Sequence, residues 1–396
     1  MLFRPAAIVL LAMPLAAAAE APVDFNRDVR PILAENCFHC HGADAAQRKA
    51  ELRFDDRSSP LEIGAIVPGK PAESSLIERI STGDPDLRMP PPDSHRRLTR
   101  QQIELLTRWV AQGADYEAHW AFQTARRPEP PRVERGDWPQ NDVDRFILSR
   151  LAAQGLAPSP RAPMPTLLRR ISFDVTGLPP TPAQLAKWQA ASDPIASALD
   201  ELLASPHYGE RMAADWLDVA RYADTHGFNN DSLRTMWPWR DWVVDAFNAN
   251  MPYDQFITKQ LAGDLLPGGT PDDLVASGFN RNHVINSEGG IIDEEYRVEY
   301  VADRVRTMSL AWLGLTLECA RCHDHKFDPI SQREYYRVFA FFNNVDEIGE
   351  DGRIGNAAPL MRAPTSEQRR QYDELLKDER SLENQLRQAL QFRTGD

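Results

Sequence analysis

The chain has 396 residues, and 45 Lys and Arg against 58 Asp and Glu give it a formal charge of −13. At about 100–200 residues per domain this length supplies two or three domains, and the acidity argues against nucleic acid or an anionic membrane surface as the main partner. Apolar residues at 42% and charged residues at 26% exclude a membrane-embedded or broadly disordered chain, while four cysteines are too few to staple such a fold.

Residues 1–19 read as an export leader. Arg4 supplies the positive start, Ala6 to Leu15 a short apolar run broken by Pro14, and Ala17-Ala18-Ala19 a small-residue cleavage site. A spanning helix needs about 20 apolar residues, and no segment supplies them. The alternatives are a retained membrane anchor and a buried N-terminal helix. The leader predicts a periplasmic or otherwise exported protein with no transmembrane segment in the mature chain.

Residues 24–115 form the first predicted domain. Phe25, Val29, Ile32 and Leu33 recur at helical spacing and lead into Cys37; a second helix opens at Pro71 with Leu76, Ile77 and Ile80 on one face. Thr99-x-x-Gln102 is a capping box ahead of Ile103, Leu106, Trp109 and Val110, with Gly113 as the stop. Proline-rich residues 123–140 read as a linker.

A larger helical domain is predicted over residues 141–348. Val143, Phe146, Ile147 and Leu151 form its first stripe. A helix from Pro165 stops at Gly177, Thr181-Pro182-x-Gln184 caps the next, and Ser205-Pro206 opens one bearing Trp216, Leu217 and Ala220. A long helix is expected from Asp293 to the region of Cys319, and Ser331-x-x-Glu334 caps another with Tyr335, Val338, Phe339 and Phe342 as its buried face. Residues 365–396 are a charged helical tail with Leu375, Leu382, Leu386 and Leu390 at helical intervals. Alternating strand patterns are scarce, so the fold class is mainly α.

All the cysteines fall in two copies of one motif, Cys37-Phe38-His39-Cys40-His41 and Cys319-Ala320-Arg321-Cys322-His323. C-x-x-C-H is the attachment pattern for a c-type haem. The two thiols add to the porphyrin vinyl groups, and the following His supplies the proximal imidazole. A thioredoxin-like pair lacks its βαβ setting and leaves the His unexplained. A zinc site would crowd Cys319, Cys322, His323 and His325 together, whereas zinc usually takes two separated pairs. Two covalent haems c are therefore expected, with His41 and His323 on iron.

Met89, in Leu87-Arg88-Met89-Pro90-Pro91-Pro92, is the sixth ligand proposed for the first haem, because the proline run holds an extended loop. For the second, His226 and His283 are the distal candidates, with Met308 behind them; His325 stays on the proximal side in a supporting role. Asp224, His226 and Asn230, in a loop-like stretch with Asn229, Asp231 and Arg234, are the catalytic candidates if the sixth position is open. Trp237, Trp239 and Trp242 read first as core packing. Arg221, Arg234, Arg240, Arg304 and Arg306 are candidates to neutralise haem propionates.

Taken together the chain resembles the planctomycete-type cytochrome c proteins, in which an N-terminal cytochrome c domain precedes a companion domain with another haem motif. The first part matches through Val29-Arg30-Pro31-Ile32-Leu33, Cys37-x-x-Cys40-His41-Gly42, Val67-Pro68-Gly69-Lys70-Pro71 and Met89-Pro90-Pro91. The second matches through His119-Trp120-Ala121-Phe122, Thr176-Gly177-Leu178-Pro179-Pro180, Trp216-Leu217-Asp218-Val219-Ala220-Arg221-Tyr222-Ala223-Asp224 and Cys319-Ala320-Arg321-Cys322-His323-Asp324-His325-Lys326-Phe327-Asp328-Pro329. The resemblance implies a class I cytochrome c-like helical domain followed by a larger all-α domain, both haem-bearing and exported. Many members continue past a charged helix, so it also implies a missing C-terminal domain.

Two functions follow. The first is an exported dihaem cytochrome that transfers electrons to a basic redox protein or a small acceptor. The second is a haem oxidoreductase, peroxidase-like or acting on an organic substrate, with the second haem as its catalytic centre.

Overall fold

A computed structural model describes residues 21–134, 136–228, 230–350 and 355–393. The expected leader and Asn229 lie outside the described residues. These are mainly helical, with no strand beyond isolated bridges. They divide into two compact units. The first runs to Ala125 and takes in Cys319–Gln332; the second holds Arg126–Glu318 and the residues from Arg333 onward.

In the first unit Asp24 caps a π-turn, Phe25–Val29, that runs into α1 (Arg30–Asn36). Next come α2 (Phe38–His41), α3 (Ser58–Glu62), α4 (Ser75–Ser81) and α5 (Arg100–Ala111). Pro71 opens only a 3-10 turn, Pro71–Glu73, and α4 begins afresh at Ser75. The Thr99–Gln102 box makes both its bonds, Gln102 N–H to Thr99 Oγ1 at 3.2 Å and Thr99 N–H to Gln102 Oε1 at 2.8 Å. Such a cap is worth about 1 kcal/mol. Val29, Leu33, Leu106, Trp109 and Val110 are fully buried, so the two expected stripes form the core on which Cys37 packs.

The second unit contains α6 (Asp142–Ala153), α7 (Met164–Thr176), α8 (Pro182–Gln189), α9 (Pro194–Leu203) and α10 (Pro206–Val219). It continues through α11 (Trp237–Asn248), α12 (Tyr253–Ala262), α13 (Pro271–Ala276), α14 (Asp293–Met308), α15 (Gln332–Phe342) and α16 (Ser366–Arg393). One core gathers Trp239, Val243, Phe256 and Phe279 with Trp216, Trp242 and Trp312 around them. A smaller one joins Leu168, Trp188, Ala198 and Leu202.

Three expectations change. The α6 stripe faces outward: Val143 is 67% exposed, Phe146 and Ile147 are exposed, and Leu148 is the buried residue. Helical spacing establishes a helix, but the buried face depends on what lies opposite. The long helix from Asp293 ends at Met308. After a π-turn, Ser309–Leu313, Gly314 takes φ +62°, a left-handed conformation that closes the helix before the second motif. On α15 only Tyr335 is fully buried; Val338, Phe339 and Phe342 are half-buried.

Candidate functional site

The first C-x-x-C-H is wound into one helical turn. Cys37 caps α1, with its N–H on Leu33 O at 2.8 Å, and Cys37 O accepts from Cys40 N–H at 3.1 Å and His41 N–H at 2.8 Å. Residues three and four apart on a helix share a face, so both thiols and the imidazole belong to one side of the turn. Neither cysteine is disulfide-bonded. Burial pushes the Cys37 thiol up to about 12, with Arg96 opposing, so it stays protonated. Gly42 leaves the turn where a Cβ would meet Phe38 O at 2.4 Å, which only glycine tolerates.

The loop after Gly42 returns to the motif. Lys49 N–H donates to Cys40 O at 2.7 Å and Phe54 N–H to His41 O at 2.9 Å. His41 Nδ1 lies 3.2 Å from Lys49 O, which makes Nδ1 the donor and leaves the Nε2 lone pair for a metal. Burial lowers the His41 pKa and so favours the neutral ring. The Phe54 ring meets the imidazole edge-on, with centroids 5.8 Å apart.

Two orphaned buried donors lie in the same unit. Arg88 Nε, beside Met89, and the Tyr116 hydroxyl have no hydrogen-bond partner among the described residues. Tyr116 packs on Phe25 and Trp109, and its pKa is raised by burial and by Asp55, Asp56 and Cys37. A buried donor without an acceptor costs about 1–3 kcal/mol, and haem carboxylates would supply acceptors. These residues fit a c-type haem held by Cys37, Cys40 and His41. Met89 is half-buried in the loop between α4 and α5, its N–H bonded to Arg79 O at 3.0 Å.

The second motif differs. Its cysteines sit on a 3-10 turn, Glu318–Arg321, and just after it; both are exposed, and Cys322 N–H reaches Cys319 O at 3.4 Å. His323 is exposed, with Nδ1 on Asp324 O at 2.8 Å. His325 is buried and knots the loop: Nδ1 accepts from Asp328 N–H at 2.9 Å and Phe327 N–H at 3.3 Å, while its own N–H donates to Ile330 O at 2.8 Å.

By sequence this motif falls within residues 141–348, but its segment, Cys319–Gln332, packs with the first unit. His119, whose side chain is 4% exposed, bonds Asp328 Oδ1 through Nε2 at 2.9 Å. Arg30 donates to Phe327 O at 3.0 Å and lies 5.7 Å from the centroid of Phe38, inside the first motif. Arg30, Asp55, His119, Lys326 and Asp328 line a cavity of about 130 Å³ there. Burial lowers the Lys326 pKa, as does Arg96, while Cys40 opposes. Sequence reasoning left Arg30, His119, Lys49 and Asp328 without roles; only the resemblance strings contained three of them. Among the described residues no three His, Cys, Asp or Glu side chains group as metal ligands, so Cys319, Cys322, His323 and His325 do not make the zinc cluster.

The distal candidates belong to the second unit. His283 is fully buried; Nδ1 donates to Val284 O at 3.0 Å and Nε2 accepts from Arg304 at 2.7 Å. His226 Nε2 is 2.7 Å from Gly355 O, and its buried Nδ1 has no partner among the described residues. Asp224 accepts from the Tyr222 hydroxyl and from Met236 N–H, and Asn230 donates to Ser287. Met308 closes α14. Arg234 is spent on backbone carbonyls and Arg304 on Glu347, while Arg240 pairs with Asp241.

A family model described as Planctomycete cytochrome C matches residues 37–93, and one described as Protein of unknown function (DUF1549) matches residues 142–347. No curated protein and no solved structure matches the chain. The cytochrome model covers the first haem turn and the Met89 loop, and the second model covers the remaining C-x-x-C-H, in the order the resemblance requires. The chain thus belongs to the family of that second model, the proteins of unknown function DUF1549, and carries ahead of it a match to the Planctomycete cytochrome C model, which points to c-type haem binding.

Proposed function

We propose that the protein is an exported dihaem c-type cytochrome that transfers electrons. The observation that supports this best is the packing of both C-x-x-C-H segments in one compact unit, the first with a half-buried, oriented His41 imidazole. Each cysteine S–H would add across one vinyl group, forming one C–S bond per thiol with no oxidant consumed. Bound haem iron supplies a one-electron couple. Cys37, Cys40, Cys319 and Cys322 tether, His41 and His323 ligate, and Met89 completes the first site. Methionine ligation there favours electron transfer over oxygen chemistry. The formal charge of −13 supports a basic redox partner and a salt-dependent encounter.

The test is co-expression with a haem-maturation system, followed by intact-mass and pyridine haemochrome measurements. Two haems per chain are expected, falling to one when Cys319 and Cys322 are both replaced by Ser. Absence of covalent haem overturns the reading. Met89→Ala should abolish the sulfur-to-iron band at the red end of the oxidised spectrum; a parent without that band removes Met89 from the site. N-terminal sequencing of secreted material tests the leader.

A further inference from the structure

The cavity beside the first motif joins two distant stretches of chain. Arg30 and Ala43, the latter two positions after His41, form part of its wall, and Lys326, Phe327 and Asp328 form another part. The second group follows the second C-x-x-C-H and falls in the DUF1549 match, yet it packs in the same compact unit as the first motif. Two anchors hold it there. Arg30 donates to Phe327 O at 3.0 Å, and His119 bonds Asp328 at 2.9 Å.

The charged groups at this cavity are not equally committed. Asp55 is bound through both oxygens by Arg53, at 3.2 and 2.6 Å, and Glu117 accepts from Asn26 at 3.1 Å. Asp328 faces His119, with His325 Nδ1 at 3.4 Å from its other oxygen. Lys326 differs. Its ammonium lies 4.7 Å from the centroid of the Phe327 ring, and among the described residues no carboxylate pairs with it. The charges acting on it are those of Arg96 and Cys40, and Arg96 acts in turn on Cys37. Lys326 thus follows the second motif in sequence and neighbours the thiols of the first in space.

A thiol that adds to a haem vinyl group brings the haem edge to its own sulfur, so a charge beside Cys40 is a charge beside the first haem. The ferric state carries one more positive charge than the ferrous state, and a fixed cation nearby disfavours it. Lys326 is half-buried and is screened less than a surface lysine.

We propose that Lys326 sets the potential of the first haem site, raising it from a loop that the second motif's segment supplies and that Arg30 and His119 hold in place. The proposal rests on the haem reading of Cys37, Cys40 and His41. It gives Cys319–Gln332 a part in the cytochrome site whether or not its own cysteines carry haem.

Optical redox titration of the haem-loaded full chain, and of its Cys319→Ser/Cys322→Ser form carrying the first haem alone, tests this. A unit charge about 10 Å away, at an effective dielectric constant of about 20, alters a one-electron equilibrium roughly tenfold. Lys326→Gln should therefore lower the midpoint potential of the first site by about 59 mV, the equivalent of tenfold for one electron. Lys326→Glu should lower it about twice as far, and Lys326→Arg should keep it near the parent value. Loss of packing alone does not rank the variants by charge. Equal potentials across the series, or shifts that do not follow charge, overturn the proposal and leave the haem reading standing. Absence of covalent haem at Cys37 and Cys40 overturns that reading and this proposal with it.

Discussion

Replacing Glu347 by Gln should open the centre of the second unit. The Glu347 side chain is 3% exposed and accepts from both terminal nitrogens of Arg304, whose own side chain is 0% exposed, and from Arg281 at 2.6 Å. Gln presents one acceptor oxygen where the carboxylate presented two, and turns an N–H₂ toward guanidinium donors. It also removes the carboxylate that Arg304 and Arg281 share. Removing one partner of a buried ion pair costs about 3–5 kcal/mol, because the remaining charge stays desolvated. Hydrogen exchange followed by mass spectrometry reads this locally, in peptides from α14 and residues 281–285. At 1.36 kcal/mol per decade, protection there should fall by roughly a hundredfold to several thousandfold. A fall of less than about tenfold would mean that water or backbone rearrangement replaces the carboxylate cheaply, and the reasoning would fail.

Acid should destabilise the chain before haem attachment. Burial, with Arg304 and Arg281, holds the His283 pKa well below 6.5; burial and Arg30 lower that of His119 against the opposing pull of Asp328. With folded pKa values below the unfolded value, the unfolded chain binds more protons, so this stability is present above about pH 6.5 and lost as pH falls. The urea midpoint should drop between about pH 7.5 and about pH 5.5, and a rise would contradict the assignment. His119→Leu should cost about 2 kcal/mol by removing a buried bond to a carboxylate. Exchange in residues 319–332 should speed up first; unchanged protection there would show that His119 does not anchor the segment.

Local rules carried much of the helical reading. The Thr99–Gln102 and Thr181–Gln184 boxes are formed, since their bonds join residues three apart. Phe25, Val29 and Leu33 are buried as their spacing requires. The motif identified His41, but not the Lys49 carbonyl that orients it, because a backbone oxygen leaves no residue signature. Glu347 reads in sequence as one acidic residue beside Asp346; its role comes from arginines at positions 281 and 304. His226 and His283 stood out by type alone, and the fold commits the Nε2 of each to a hydrogen bond. The phase of α6 and the early end of α14 depend on packing and on one left-handed glycine, neither of which periodicity encodes.

The segment that carries the second C-x-x-C-H also sets an order of events. Its anchors join His119 to Asp328 across 209 positions of chain and Arg30 to Phe327 across 297. The first turn can wind once its own few residues exist, whereas the cytochrome unit stays unfinished until the whole stretch after α5 has been made. At about 5–20 residues per second, the His119 partner arrives roughly 10–40 s after His119 itself. Closing such long loops is also entropically slow. During that interval Cys37 and Cys40 are present without the segment that later packs beside them, so a nascent chain presents its first thiol pair well before its second.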